Sequence, residues 1–292
     1  MDQNAAIPSV NAFFDEATNT VTYVVADPVT KRCAIIDPVL DFDQASGRTS
    51  TRSADGLIDF VKSGSLDVAW ILETHVHADH LSAAAYLKST TGGRTGIARC
   101  VTEVQAVFKD VFNLGGEFKA DGGQFDDLLE DGDLLDLGTM EIRVLHTPGH
   151  TPACLSFVIG NAVFVGDTLF MPDFGTARVD FPGGDAATLY RSIQKIFQLP
   201  GDTRLFLCHD YKAPGRDHYA WESTVALERT SNIQVHDGLS EQEFIEFRNQ
   251  RDAQLGMPKL ILPAIQVNIR AGEMPPMENN GVVYLKLPVD AL

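Results

Sequence analysis

The chain has 292 residues, 44% hydrophobic and 22% charged, which is typical of a soluble globular protein with one large domain or a domain with an extension. Its 23 basic and 40 acidic residues give a net charge of −17, which argues against nucleic-acid binding, because that depends on lysine and arginine neutralising phosphates. The sequence shows neither a membrane-spanning apolar run nor a secretory signal. We therefore expect a cytoplasmic protein that binds neither nucleic acid nor membrane.

The four cysteines fit the same compartment. Cys33 and Cys208 lie in apolar runs, and none of the four belongs to a C-x-x-C pair. We expect reduced, mostly buried thiols, and we assign no chemical role to Cys154 or Cys208, because structural thiols are commoner than reactive ones.

The first part of the chain reads as antiparallel strands. Three short β-rich segments, 10–14, 20–25 and 33–36, are separated by turn residues. A helix is predicted near 54–63. The apolar segment 68–72 that follows is long enough for a buried strand.

That strand leads directly into Thr74-His75-Val76-His77-Ala78-Asp79-His80. Imidazole and carboxylate are the usual ligands of zinc, iron and manganese. In an extended segment His75 and His77 point the same way. Asp79 and His80 fall in the turn before a helix predicted over 81–88 and closed by Gly92-Gly93. The cluster predicts a metal site.

Strands and helices alternate through the rest of the chain. The acidic run 125–137 is interpreted as a solvated hairpin and loop rather than a cation site. Asp185 and Ser240 are predicted to cap the N-termini of helices. The tail from 258 to 292 is proline-punctuated and expected to be mostly extended. The other predicted elements are strands at 97–100, 140–146, 153–159, 162–165 and 204–208, and helices at 102–112 and from 185 to about 198.

Three of these strands end in further candidate ligands. His150 follows 140–146 in a tight Pro-Gly loop, Asp167 follows 162–165, and His209 follows 204–208. Each alone has an ordinary structural explanation as a turn residue, a cap or a hydrogen-bonding partner. Together with the histidine cluster they indicate two sheets that meet at one site.

The order of these residues resembles the metallo-β-lactamase superfamily and, more narrowly, the persulfide dioxygenases. The resemblance implies an α/β fold, an αββα sandwich of two mixed β-sheets flanked by helices, as one domain over 1–292 with an extended tail from about 258. Its most specific motifs are Thr147–Pro152, Gly166-Asp167-Thr168, Arg178-Val179-Asp180-Phe181, Leu199-Pro200-Gly201-Asp202, His209-Asp210-Tyr211 and Asn268-Ile269-Arg270-Ala271-Gly272.

The resemblance also implies one Fe(II) per chain, held by His75, His150 and Asp167. Such a face leaves three coordination positions for a substrate sulfur and O₂. In relatives with two metals, His77 joins the first site and the second is built by Asp79, His80 and His209. In the dioxygenases the same four residues are expected to orient ligands and bound water.

The implied reaction oxidises glutathione persulfide with O₂ to sulfite and glutathione. Zinc has no accessible redox change, so the identity of the metal decides the chemistry. Arg178, Tyr211 and Arg270 are the candidates for binding glutathione carboxylates. Arg178 is equally well explained as a partner of Asp180. For Tyr211, which follows the candidate site residue His209, a role in the cavity is favoured over simple packing, and Arg270 has the weakest support of the three.

Two other functions remain open. A glyoxalase II-type hydrolase of hydroxyacylglutathione thioesters uses the same ligand set with two metals and a bridging hydroxide. A non-catalytic sulfide or redox sensor keeps the fold for partner binding. The number of metals per chain distinguishes the hydrolase from a dioxygenase. Lack of turnover would favour the sensor. A homodimer is an open option, because the sequence does not fix the oligomeric state.

Overall fold

The computed structural model describes residues 7–290. These residues form fifteen strands, seven helices and one 3₁₀ turn, at Gly166–Thr168. The strands are β1 (Ser9–Asp15), β2 (Thr20–Ala26), β3 (Arg32–Ile36), β4 (Val39–Asp43), β5 (Arg48–Ser50), β6 (Asp67–Leu72), β7 (Leu81–Ser82), β8 (Arg94–Ala98), β9 (Asp127–Leu129), β10 (Leu134–Leu137), β11 (Met140–His146), β12 (Leu155–Ile159), β13 (Ala162–Phe164), β14 (Arg204–Phe206) and β15 (Glu222–Thr224). The helices are α1 (Arg52–Ser63), α2 (Ala84–Thr91), α3 (Val101–Val111), α4 (Ala186–Ile196), α5 (Val225–Ser231), α6 (Glu241–Asp252) and α7 (Ile261–Asn268).

Two six-stranded sheets form the centre of the molecule. The first has the order β1-β2-β3-β6-β8-β9 and the second the order β10-β11-β12-β13-β14-β15. Antiparallel pairs at one side of the first sheet give way to parallel pairing from β3 to β9. The second sheet is antiparallel except between β13 and β14. Both sheets are therefore mixed, as predicted.

Helices cover the outer face of each sheet. The core between the sheets contains Tyr23 from β2 together with Phe157 and Phe164 from the second sheet. A second core lies under α1, α2 and α7, and a third core lies under α4 and α6, where Leu189 and Phe244 pack. Burial of apolar side chains on both faces of each sheet produces the αββα order of layers. The predicted fold class is confirmed.

The acidic run does not form a hairpin of its own, so that part of the prediction is wrong, whereas most of its acidic side chains are exposed, as predicted. Strand β9 pairs with β8 in the first sheet, whereas β10 pairs with β11 in the second. The run therefore crosses between the sheets. Asp126 and Asp127 bind Lys88 and Arg94, which fixes the crossing to the first sheet.

The tail is not extended throughout, because helix α7 lies within it. Pro263 occupies the first turn of α7, where a missing backbone N–H costs nothing. Ala264, Ile265 and Val267 are buried against the domain. Burial of this apolar face stabilises the helix although prolines lie near its start. From 269 to 290 the chain has no regular secondary structure.

The cysteines are all free, and Cys33, Cys154 and Cys208 are buried. This agrees with the expectation of reduced, structural thiols. Within residues 7–290 no helix combines the length and hydropathy that crossing a bilayer would require.

Candidate metal centre

His75, His150 and Asp167 meet where the two sheets adjoin. One ligand atom from each lies within 4.8 Å of the others, and all three side chains are buried. The Nε2 atoms of His75 and His150 lie 3.8 and 3.7 Å from Asp167 Oδ2. The structure thus brings together the three residues that the sequence assigned to one iron.

The four remaining candidates lie beside this triad. His77, Asp79 and His80 form a second group whose ligand atoms also lie within 4.8 Å of one another. His209 Nε2 lies 3.2 Å from Asp167 Oδ1 and 3.5 Å from Asp79 Oδ2. Asp167 therefore directs Oδ2 towards His75 and His150 and Oδ1 towards His209. The arrangement can hold one metal or two.

Backbone hydrogen bonds between the sheets position the loops that carry these residues. The Leu155 N–H donates to the Thr74 carbonyl at 2.8 Å, and the Val21 N–H donates to the Cys208 carbonyl at 2.7 Å. Gly166, just before Asp167, has a φ of +52°, and a Cβ there would lie 2.6 Å from Thr74 Oγ1. Only glycine allows this close approach.

His150 and His209 are each oriented through Nδ1. His150 Nδ1 donates to the Arg178 carbonyl at 2.7 Å, and His209 Nδ1 donates to the Asn19 carbonyl at 3.1 Å. A carbonyl can only accept, so the proton lies on Nδ1 and Nε2 keeps its lone pair. This is the tautomer that a ligand to a metal through Nε2 requires.

Asp37 orients His75 and His77, a role that no pattern in the sequence predicted. Its buried carboxylate accepts from the Thr74 N–H at 2.7 Å and the Thr74 hydroxyl at 2.9 Å, and lies 2.9 Å from His77 Nε2. Because the Thr74 hydroxyl donates to Asp37, its oxygen accepts from His75 Nδ1 at 3.0 Å. Asp37 precedes Pro38 and has only the composition of a turn residue. Its φ of 52° is a strained value that often marks functional positions.

Electrostatics reinforce this pairing. Although burial favours the neutral acid, the charge on His77 and the hydrogen bonds from Thr74 hold the pKa of Asp37 below its usual value. Burial likewise disfavours a charged His77, but Asp37 and Glu73 raise the pKa of His77 well above the ordinary value. Glu73 Oε2 lies 3.5 Å from His77 Nε2.

Asn268 is a second residue whose role the sequence analysis missed. Its Nδ2 donates to the carbonyls of His77 and His80, both at 2.8 Å, and its Oδ1 accepts from the Ser82 N–H at 2.7 Å. Asn268 ends α7 and belongs to a motif of the family resemblance, where it had no assigned role. Helix α7 thereby fixes the histidine loop.

Several buried polar atoms at this centre have no hydrogen-bonding partner within the described part of the chain. Burying such atoms without a partner costs about 1–3 kcal/mol each, so a cluster of them requires an explanation. The atoms are His75 Nε2, His77 Nδ1, His80 Nε2, Asp167 Oδ1 and His209 Nε2. Nitrogen and carboxylate atoms that converge without partners fit a bound transition metal, which would take the place of any proton on these atoms.

A cavity of about 570 Å³ opens onto Asp79, His150 and Asp167. Its size is ordinary for a small-molecule site. Aromatic side chains form part of the wall, including Phe170 and Phe174. A substrate in this cavity can therefore reach the side of the metal centre that carries His150 and Asp167.

The three predicted substrate-binding residues have different positions. Arg178 lines the cavity, but its guanidinium holds both oxygens of Asp180 at 2.5 Å and donates to the Gly256 carbonyl at 2.7 Å. Tyr211 lines the cavity with its ring centroid 5.7 Å from that of His209. Arg270 does not line this cavity. It is buried, with its guanidinium 4.6 Å from the ring centroid of Phe118.

Comparison with known proteins identifies related sequences of several names. A "Probable metallo-hydrolase" of Burkholderia pseudomallei is 54% identical over 294 residues, covering 97% of this chain and 100% of the relative. "Glyoxylase B2" of Dictyostelium discoideum is 48% identical over 285 residues, covering 97% of each. The human mitochondrial "Persulfide dioxygenase ETHE1" is 32% identical over 266 residues, covering 90% of this chain and 88% of the relative.

A solved structure and a family profile agree on the fold. The crystal structure of ETHE1 from Myxococcus xanthus superposes with a TM-score of 0.71 at 30% identity, covering 91% of this chain and 100% of that one. The profile of the Metallo-beta-lactamase superfamily matches residues 16–209, which include every one of the candidate metal ligands. The chain therefore belongs to the metallo-β-lactamase superfamily.

Proposed function

We propose that the chain is a persulfide dioxygenase that oxidises glutathione persulfide with O₂ to sulfite and glutathione, using one Fe(II). The observation that carries the proposal is the buried group of two imidazoles and one carboxylate at the floor of an open cavity. Two imidazoles and a carboxylate with open positions are characteristic of non-haem iron oxygenases. The 32% identity with the human persulfide dioxygenase supports the same reading.

His75, His150 and Asp167 would hold the iron. When bound, Fe(II) would supply open coordination positions and the redox capacity that zinc lacks. In the balanced reaction the outer sulfur gives up four electrons to O₂ and ends as sulfite. Two of the oxygen atoms of sulfite come from O₂ and one from water, and the inner sulfur leaves as the thiol of glutathione.

The residues of the chain contribute orientation and exclusion of bulk water. Thr74 and the Arg178 carbonyl fix the rings of His75 and His150, so the coordinating nitrogens are preorganised. Asp79 and His209 present polar atoms 3.5 Å apart beside Asp167, where they can hold the water that the reaction consumes. The aromatic part of the cavity wall limits access of other water.

A thioester hydrolase is the second candidate, and a specific observation favours it. All residues needed for a second metal are present, and Asp167 faces both groups. The relatives named metallo-hydrolase and glyoxylase B2 are more similar to this chain than the human persulfide dioxygenase is. With two metals the same site would hydrolyse a glutathione thioester by attack of a bridging hydroxide.

The test is anaerobic purification, metal analysis and measurement of oxygen uptake with glutathione persulfide. We expect about one iron per chain and oxygen uptake that requires iron and is lost in Asp167→Ala. Two metals per chain with thioester hydrolysis and no oxygen uptake would replace the dioxygenase by the hydrolase. Absence of turnover on either substrate would favour the sensor.

A further inference from the structure

The cavity above the metal centre is more basic than the chain as a whole. The net charge of the chain is −17, yet basic side chains outnumber acidic ones in the cavity lining. The two acidic residues, Asp79 and Asp167, belong to the metal centre. The basic residues are Arg178, Arg248, Arg251 and Lys259.

Two of these cations are already neutralised. Arg178 forms a two-pronged ion pair with Asp180. Arg248, fully buried, pairs with Asp252 one turn later in α6 and donates to the Thr176 carbonyl. Both charges are paired with carboxylates in the wall of the cavity. This pairing reduces their attraction for an anionic ligand.

Arg251 and Lys259 are different. Both are exposed at the cavity, and neither forms an ion pair or a side-chain hydrogen bond with any residue between 7 and 290. The position of Arg251 in the last turn of α6 is favourable for a cation, because of the helix dipole. Lys259 lies outside any helix, so a helix dipole does not explain why a cation lies at this position.

The segment that carries Lys259 is tied to the metal centre through Arg178. The Arg178 carbonyl accepts from His150 Nδ1, and the Arg178 guanidinium donates to the Gly256 carbonyl, three residues before Lys259. A single residue therefore connects a candidate metal ligand to the rim of the cavity, which is the segment from Gly256 to Lys259. This connection holds the rim in a defined position relative to the reacting end of a bound substrate.

We infer that Arg251 and Lys259 form the subsite for the carboxylates of the thiol carrier, which lie at the two ends of the tripeptide, on either side of the cysteine that carries the sulfur. The inference rests on the proposed function for the identity of the carrier as glutathione. The sulfur has to reach His150 and Asp167 at the cavity floor, so the rest of the molecule extends to the rim. There its carboxylates meet Arg251 and Lys259, which have no ionic partner among residues 7–290. Arg178 and Arg270 were candidates from the sequence. Arg178 is neutralised by its ion pair, and Arg270 lies outside the cavity.

Binding of S-methylglutathione to the metal-loaded protein, measured by calorimetry, tests the subsite. This ligand has the carboxylates of glutathione but neither a persulfide nor a thioester, so its binding does not depend on which reaction the protein performs. We expect Arg251→Ala/Lys259→Ala to raise the Kd about tenfold, the effect of losing charge-assisted contacts. Arg251→Lys/Lys259→Arg keeps both charges and should stay within about threefold of the wild type.

A matched control removes the same charge elsewhere. Lys62 and Arg143 are exposed, lie outside the cavity and also lack ion-pair partners within the described range. Lys62→Ala/Arg143→Ala should leave the Kd unchanged. The diethyl ester of S-methylglutathione should bind the wild type and Arg251→Ala/Lys259→Ala equally weakly. Equal Kd values in the two alanine double variants, ester binding as tight as that of the acid, or no binding by the wild type would each overturn the subsite. Absence of oxygen uptake would overturn only the proposed reaction.

Discussion

Asp37 Oδ1 lies 2.9 Å from His77 Nε2, and both side chains are buried. The same carboxylate accepts from the backbone N–H and hydroxyl of Thr74, which in turn orients His75. One residue on the loop after β3 therefore fixes two imidazoles on the loop after β6. Groups that orient metal ligands in this way typically change metal affinity by about 10–100-fold when they are removed.

Asp37→Ala should therefore lower metal affinity by about 10–100-fold, because His75 and His77 lose their orientation. Competition with a chelator measures this affinity directly. Asp41→Ala is the control, since Asp41 bonds to Ser53 on α1 rather than to a histidine. Full metal affinity in Asp37→Ala would show that the imidazoles are oriented without it.

Asn268→Ala should lower both stability and metal affinity. It leaves the buried carbonyls of His77 and His80 without their donor, which costs about 2–4 kcal/mol in the free energy of unfolding. Urea unfolding and chelator competition measure the two effects. Gln266→Ala is a matched control in the same helix, because Gln266 bonds to Lys286 of the tail. It should reduce stability and leave metal affinity intact. An equal loss of metal affinity in both variants would contradict a specific role for Asn268.

The candidate ligands could be predicted from sequence because each follows directly from an apolar strand. A side chain at a strand end is positioned by the sheet, so local sequence locates it. Asp37 and Asn268 act through partners 37 and 191 residues away, at Thr74 and His77, and no local pattern indicates such contacts. Asp37-Pro38 has the composition of a turn, and Asn268 is one polar residue at the end of an apolar helix.

The wrong predictions have a related cause. The run 125–137 looks like a hairpin because two short apolar segments flank Gly132. Strand choice is decided by tertiary pairing, here of Leu128 with Ile97 in one sheet and of Leu135 with Ile142 in the other. Helix α7 was missed because two prolines near its start outweighed an apolar stretch whose burial is visible only in the fold.

Glu228 should make stability fall as pH rises. It is buried and accepts from Asn232 Nδ2 at 2.8 Å, and burial raises its pKa to about 7. The folded state therefore binds this proton more tightly than the unfolded state, whose carboxyl titrates near 4.3. The stabilisation is complete below about pH 4 and is lost as pH rises to about 7.

Glu228→Gln should remove this dependence. The free energy of unfolding of the variant, relative to that of the wild type, should therefore grow to about 3 kcal/mol between pH 5 and pH 8. Urea unfolding at both pH values measures the difference. Glu141→Gln, at an exposed position on β11, is the control and should show no such trend. Parallel pH profiles for wild type and Glu228→Gln would contradict the prediction.

Arg178→Ala should raise KM more than it lowers kcat. The substitution removes the side-chain hydrogen bond to the Gly256 carbonyl, which frees the rim, but keeps the backbone carbonyl that orients His150. We expect KM for glutathione persulfide to rise about tenfold, with kcat within about threefold of the wild type, because ground-state binding is lost while the metal centre is unchanged. Steady-state oxygen uptake by the iron-loaded protein measures both. Arg94→Ala, which breaks a similar two-pronged pair with Asp127 outside the cavity, is the control. A fall in kcat with unchanged KM would place Arg178 at the reacting atoms instead.

His209→Ala separates the one-metal and two-metal interpretations. His209 Nε2 contacts Asp167 and Asp79 but is not a member of the His75, His150 and Asp167 group. If one iron is held by that group, His209→Ala should retain about one metal per chain and lose rate because the water beside Asp79 is less well held. If the site holds two metals, the same variant should drop from two metals per chain to one and lose hydrolysis. Metal analysis of His209→Ala and wild type, prepared side by side, gives the count. Retention of one metal with oxygen uptake reduced but present supports the dioxygenase, because a site that works with a single ion does not need His209 as a ligand.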